Sequence, residues 1–228
     1  MKLFPSILAL LLQPCASAVW GNARITPLTD RLIRFEWSAA GQFEDRPSVT
    51  FSTRSIATAP YQSSSDGDVL TLRTEGNVTV IYNRSSGGRF TEQSLQVTFG
   101  PAGQQWLPKS SGNLTGAGNL NGTLQTTDCY AGAEACVEAY YERMQPGLIS
   151  RDGWVIVDDS RSALFEHDIA SGWNWRSERE QPAVDWYGFF HGTDYRALLG
   201  DFVANAGPVA MMDRAAYPSA QKVSHSDN

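Results

Sequence analysis

The densest run of reactive side chains is "GLISRDGWVIVDDS", residues 147–160, where Ser150, Arg151, Asp152, Asp158, Asp159 and Ser160 surround an alternating apolar stretch. Two carboxylates can act as acid and base, or as acid and nucleophile, only if both converge on one bond. Successive strand residues point to opposite faces. Trp154, Ile156 and Asp158 therefore share one face, and Val155, Val157 and Asp159 the other. Asp158 and Asp159 cannot converge; their expected role is to end the strand and bond backbone amides in the following turn. Asp152–Gly153 between "LIS" and "WVIVDD" predicts a hairpin, because glycine accepts a positive φ at little cost.

The other reactive residues are sparse. His167, His191 and His225 are the only imidazoles, and no Gly-x-Ser-x-Gly elbow accompanies them. His191 precedes a helix start and is expected to hydrogen-bond locally. There is no H-E-x-x-H and no EF-hand loop, so neither a metal nor a cofactor is expected. "GAGNLNG" lacks the lysine of a phosphate-binding loop. Asp185, like the remaining carboxylates, reads as a solvated surface group. The run "GWNWRSEREQPAVDWYGFFHG" gathers Trp173, Trp175 and Trp186 with Tyr187, Phe189 and Phe190. Trp173 and Trp175 share a face if the chain is extended. The cluster is either a seam against another sheet or domain, or a set of sugar-stacking faces.

The elements that would position these groups are mostly strands. "RLIRFEWS" places Leu32, Ile33, Phe35 and Trp37 in a strand with Arg34 and Glu36 facing away. "DVLTLRT" and "NVTVIYN" read as a hairpin around "EG", and "SLQVTFG", "GLIS" and "GWVIVDD" follow the same pattern. Strands at such spacing predict an antiparallel two-sheet sandwich. One helix is expected in "GTDYRALLGDFVANAG", with Thr193 or Asp194 as N-cap, an acidic first turn, and an apolar stripe of Tyr195, Leu198, Leu199, Phe202 and Val203. Gly207–Pro208 stops it.

The chain has 228 residues, 42% hydrophobic and 18% charged, with a formal net charge of −6. That is globular composition, and it lacks the basic footprint of a nucleic-acid partner. Residues 1–18 read as a signal peptide: Lys2, the apolar "LFPSILALLL" and the small-residue end "ASA". The apolar run is too short to span a bilayer, so no membrane association and a secreted product are expected. Residues 19–207 form the expected sandwich and 208–228 an irregular tail. Cys15 leaves with the signal, and Cys129 and Cys136 are expected to pair in an oxidising compartment. Asn77, Asn83, Asn113 and Asn121 head N-glycosylation triplets.

"GNLNGTLQTTD", "GLISRDGWVIVDDS", "DWYGFFHGTDYRALLGDF" and "AGPVAMM" stand in the order found in glycoside hydrolase family 31, the α-glucosidase and α-xylosidase family. The resemblance covers roughly residues 21–212 and is most specific in the middle motif. It implies a galactose-mutarotase-like sandwich that precedes a (β/α)8 barrel holding the family's two catalytic aspartates. The tail "DRAAYPSAQKVSHSDN" departs from the pattern, so the resemblance implies a truncated, non-catalytic domain, inactive alone. Its partners would be α-linked glucan or xyloglucan oligosaccharides in the full-length context, and a missing or separate barrel. A free-standing carbohydrate-binding or barrel-partner module is the alternative. By motif position, Asp128 would contact sugar, although Asn121 and Gln125 replace the usual glycine and arginine beside it. Asp159 would be a structural cap.

Overall fold

The alternating runs become two stacked antiparallel sheets. In the first, β4 (Leu32–Ser38) lies between β3 (Ala23–Pro27) and β13 (Ala183–Phe189). β2 (Ala18–Trp20) and β10 (Val155–Asp158) complete the order β10-β13-β4-β3-β2. The second is a meander of β5 (Tyr61–Asp66), β6 (Val69–Thr74), β7 (Thr79–Asn83), β8 (Leu95–Phe99) and β9 (Gln104–Trp106). β1 (Leu12–Gln13) adds to the edge of β5 as a sixth strand. β11 (Leu164–Asp168) and β12 (Trp173–Ser177) form a separate pair. The structure, a computed structural model, describes residues 12–13, 17–54, 58–86, 89–109, 114–122, 144–168, 173–177 and 183–207.

Alternation decides what each face buries. Ile33 and Phe35 of β4 point between the sheets and meet Leu72, Val80, Tyr82 and Val97 in one apolar cluster. Phe35 sits among rings, 6.0 Å from Phe90, 6.1 Å from Trp106 and 6.4 Å from Phe190, centroid to centroid. Leu32, Tyr187 and Phe189 point out of the opposite face, where Phe51 stacks on Tyr187 at 3.6 Å. That face is covered by the single described helix, α1 (Tyr195–Ala206). Mainly β architecture with one helix near the C-terminus is the fold that the alternation and the capping residues predict.

Two local expectations are corrected. No hairpin forms at Asp152–Gly153: β10 pairs with β13, and Ser150 makes only an isolated bridge to Asn119. Gly153 does take a positive φ of 78°, but in a turn that leads the chain between neighbours other than those expected. In α1, Asp194 caps the N-terminus by accepting from the Ala197 amide at 3.2 Å, and the first turn carries no acidic residue. Leu198 is buried and Phe202 packs beside it, whereas Leu199 and Val203 are exposed, so the stripe is narrower than predicted.

A polar pin holds α1 to the sheet. Buried His191 lies 2.8 Å from Asp201 through Nε2, and the Thr29 hydroxyl donates to the same carboxylate at 2.7 Å. The local hydrogen bond expected of His191 is thus a tie to the helix two turns on. Burial raises the Asp201 pKa, but the bonds from His191 and Thr29 outweigh it and hold the group below its ordinary 3.8. A depressed carboxyl pKa stabilises the fold above the unfolded value, and that stability is lost as pH falls through the folded value. Asp201→Asn is therefore expected to lower the urea midpoint near roughly pH 6, with the gap to the parent closing toward roughly pH 3. A gap that does not change with pH would refute the pin's electrostatic role.

Candidate functional site

Asp158 and Asp159 split as alternation requires. Asp158 is exposed and its Oδ1 accepts from the Ser160 amide at 2.9 Å, the turn-capping role expected for both. Asp159 instead turns into the protein. It is fully buried, accepts from the Ser48 hydroxyl at 3.0 Å and pairs with Arg54. It is an ion-pair anchor, because a carboxylate with no access to water needs a cation as well as hydrogen bonds.

Asp185 is likewise buried and not a solvated surface acid. Arg34 grips it bidentately at 2.9 and 3.0 Å, and Arg54 adds a third contact at 3.0 Å. Glu36 stands opposite Asp185 in the β4–β13 register. It is held by Arg24 at 2.6 and 2.7 Å and by Arg34 at 3.0 Å. Burial raises the Glu36 pKa, an effect that Arg24 and Arg34 oppose. Burial would lower the Arg34 pKa, but Asp185 more than reverses this and holds the guanidinium above its ordinary value.

Glu36 and Asp185 also line a cleft of about 250 Å³ with Trp37, Phe43, Glu44 and Arg46. Directly opposed strand residues place their Cβ atoms roughly 5 Å apart. That spacing alone resembles the acid pair of a retaining glycosidase. Arg34 bonds both carboxylates, however, so each is engaged in an ion pair. The cluster stabilises; it has no free acid to offer.

A second constellation ties residues 116–122 to 147–153. Asp152 accepts from the Gly118 amide at 2.8 Å, and a Cβ on Gly118 would lie 2.6 Å from the same carboxylate. Only glycine permits that approach. Asn119 Oδ1 accepts from the Asn121 and Gly147 amides, both at 2.9 Å, while its Nδ2 donates to the Gly147 carbonyl at 2.9 Å. The Gly122 amide donates to the Gln145 carbonyl at 2.7 Å. The two ends of the stretch carrying Asp128, Cys129 and Cys136 are thereby joined at one neck.

Asp128, Cys129, Cys136 and Asn113 lie outside the described residues. Trp173 and Trp175 fall on β12 opposite Asp168 and Glu166. Trp186 is half-buried, with Phe90 at 5.8 Å and Trp106 at 6.4 Å, and part of it lines a cleft. Asn77 is exposed with a φ of 59°, Asn121 is exposed with a φ of 62°, and Asn83 is half-buried at the end of β7. No group of three or more metal-binding side chains occurs among the described residues. The buried charge cluster was missed in the sequence. The available signal was Glu36 and Asp185 within strands rich in apolar and aromatic residues, with Asp159 just past the end of another.

Replacing one member of such a cluster strands the opposite charges without water. Asp185→Ala is expected to cost about 3–5 kcal/mol in urea unfolding. Arg73→Ala, an exposed control, should stay within about 0.5 kcal/mol of the parent. Equal effects of the two substitutions would show that the cluster carries no weight.

No family model matches the sequence, and no curated protein matches it. Among solved structures, the fold is similar to a family 31 glycoside hydrolase dextranase of Flavobacterium johnsoniae, in a variant complexed with isomaltotriose. The TM-score is 0.48 at 13% identity, over 89% of this chain and 29% of that one. The dextranase complexed with glucose gives a TM-score of 0.48 at 14% identity, with the same coverage. The chain spans less than a third of the length of these structures.

Proposed function

We propose that the chain is the supporting β-sandwich of a secreted family 31 α-glycosidase, with hydrolysis performed by a (β/α)8 barrel. The observation that carries this reading is where the motif residues fall. Asp152 of "SRDG" clamps the neck, Asp159 of "DDS" and Asp185 of "DWYGF" hold the buried arginines, and Asp201 of "ALLGDF" pins the helix. The acids that make the sequence resemble the family are thus framework residues. By motif position, Asp128 would contact the barrel's α-glucan or xyloglucan oligosaccharide. Export would remove residues 1–18, oxidise Cys129 with Cys136, and allow glycans on the exposed Asn77 and Asn121.

A barrel-partner role for α1 is favoured by Leu199 and Val203, which lie one turn apart and are 41% and 42% exposed. Apolar pairs on a helix's outer face suit burial against another domain.

The purified chain is expected to show no turnover of p-nitrophenyl α-glucoside or α-xyloside. Adding a family 31 barrel that lacks its own sandwich should restore activity, and Asp128→Asn should raise KM in the reconstituted pair. Turnover by the chain alone that a single carboxylate substitution abolishes would overturn this assignment.

A further inference from the structure

A cleft of about 420 Å³ beside β13 is lined by Phe90, Asp158, Trp186 and three cations, Arg89, Lys109 and Arg161. Its size falls within the range of small-molecule sites, roughly 300–1,000 Å³. The charges lining it are mainly cationic. Arg24, Arg34, Arg46, Arg54 and Arg84 each hold a carboxylate. Arg89, Lys109 and Arg161 have no ion-pair partner among the described residues, and Asp158 is the one carboxylate lining the cleft. The three cations are all exposed, so they cost little to leave unpaired, yet they converge on one concavity.

The floor is aromatic and fixed. Trp186 is braced by Phe90 and Trp106, and Arg89 lies over the neighbouring Trp37 ring at 5.5 Å. A rigid indole offers a flat apolar face for the C–H side of a pyranose ring. Guanidinium and ammonium groups around it supply charge-assisted donors for a carboxylate or phosphate oxygen. Asp158, whose Oδ1 is taken by the Ser160 amide, offers its second oxygen to a hydroxyl donor. A long polyanion is disfavoured by the net charge of −6.

We propose that this cleft binds a short saccharide bearing an anionic group, a carboxylate or a phosphate, with Trp186 as the stacking face and Arg89, Lys109 and Arg161 as anion ligands. The site is made from this chain alone, so it goes beyond the proposed supporting role and stands whether or not a barrel is present.

Isothermal titration of the full chain with three probes tests it: a glucuronate-terminated disaccharide, glucose 1-phosphate, and neutral isomaltose. Saturable binding of either anionic probe is expected, at least tenfold tighter than isomaltose, and the stronger of the two identifies the source of the charge. Binding should weaken as salt rises from roughly 0.05 to 0.5 M, because exposed charges are screened. The double variant Lys109→Gln, Arg161→Gln should bind about tenfold more weakly with an unchanged melting temperature, since neither residue has an ion-pair partner among the described residues. Equal affinity for isomaltose, unchanged binding by the double variant, or no saturable heat with any probe would overturn the proposal.

Discussion

The fold depends on a charge that cannot reach water: Arg34, in the middle strand of the first sheet, bonded to Asp185 on the next strand. Glu36 stands across from Asp185, and two carboxylates directly opposed on a sheet repel. Arg34 lies between them and cancels the repulsion. Arg54 then joins Asp185 to Asp159, and both Arg34 and Arg54 donate to the Glu44 carbonyl, at 2.7 and 3.1 Å. Four separate stretches of chain are tied at this point. Such a cluster adds little net stability over an apolar replacement, but each member makes the others obligatory. Its consequence is register. A one-residue slip of β13 would turn Asp185 into the apolar space between the sheets.

The β10-β13-β4 part of the first sheet packs on both faces. One face carries the inter-sheet core around Phe35, the other the smaller cluster of Leu32, Phe51, Tyr187 and Phe189 beneath α1. The charges lie on the same face as the smaller cluster, since Arg34 follows Leu32 by two residues and Asp185 precedes Tyr187 by two. Arg34 also stands 5.4 Å from the Tyr187 ring, so the ionic and aromatic parts of this layer touch. Burial raises the Tyr187 pKa, which keeps the phenol neutral beside the carboxylates.

Strand periodicity and helix capping were legible because they are local. The meander β5–β9 links neighbours in sequence, and Asp194, three residues before Ala197, could be read as a cap directly. The hairpin at Asp152–Gly153 was misread for the opposite reason. The turn chemistry was right, but β10 found its partner in β13, well downstream, and Ser150 was drawn to Asn119. Alternation also placed Arg34 and Glu36 correctly away from the inter-sheet core, yet could not show that the far face is covered. Their partners are remote: Asp185 lies 151 residues from Arg34. Nothing in a period of two distinguishes a solvated arginine from one sealed under a distant segment. Leu199 and Val203 erred the other way, since the helical period marks a stripe but not its width.

The neck at Asn119 shows how a rigid sandwich can carry an excursion as long as the one between Gly122 and Gln145. Closing a chain segment costs entropy that grows only with the logarithm of its length. Most of the cost lies in fixing the two ends, and here those ends are fixed by groups that belong to the scaffold. Asn119 uses both ends of its amide to hold Gly147, and Asp152 holds Gly118. Close approach of glycines on both sides lets these bonds form without side-chain interference. The neck's hydrogen bonds thus belong to the framework, as do the ion pairs of Asp159 and Asp185.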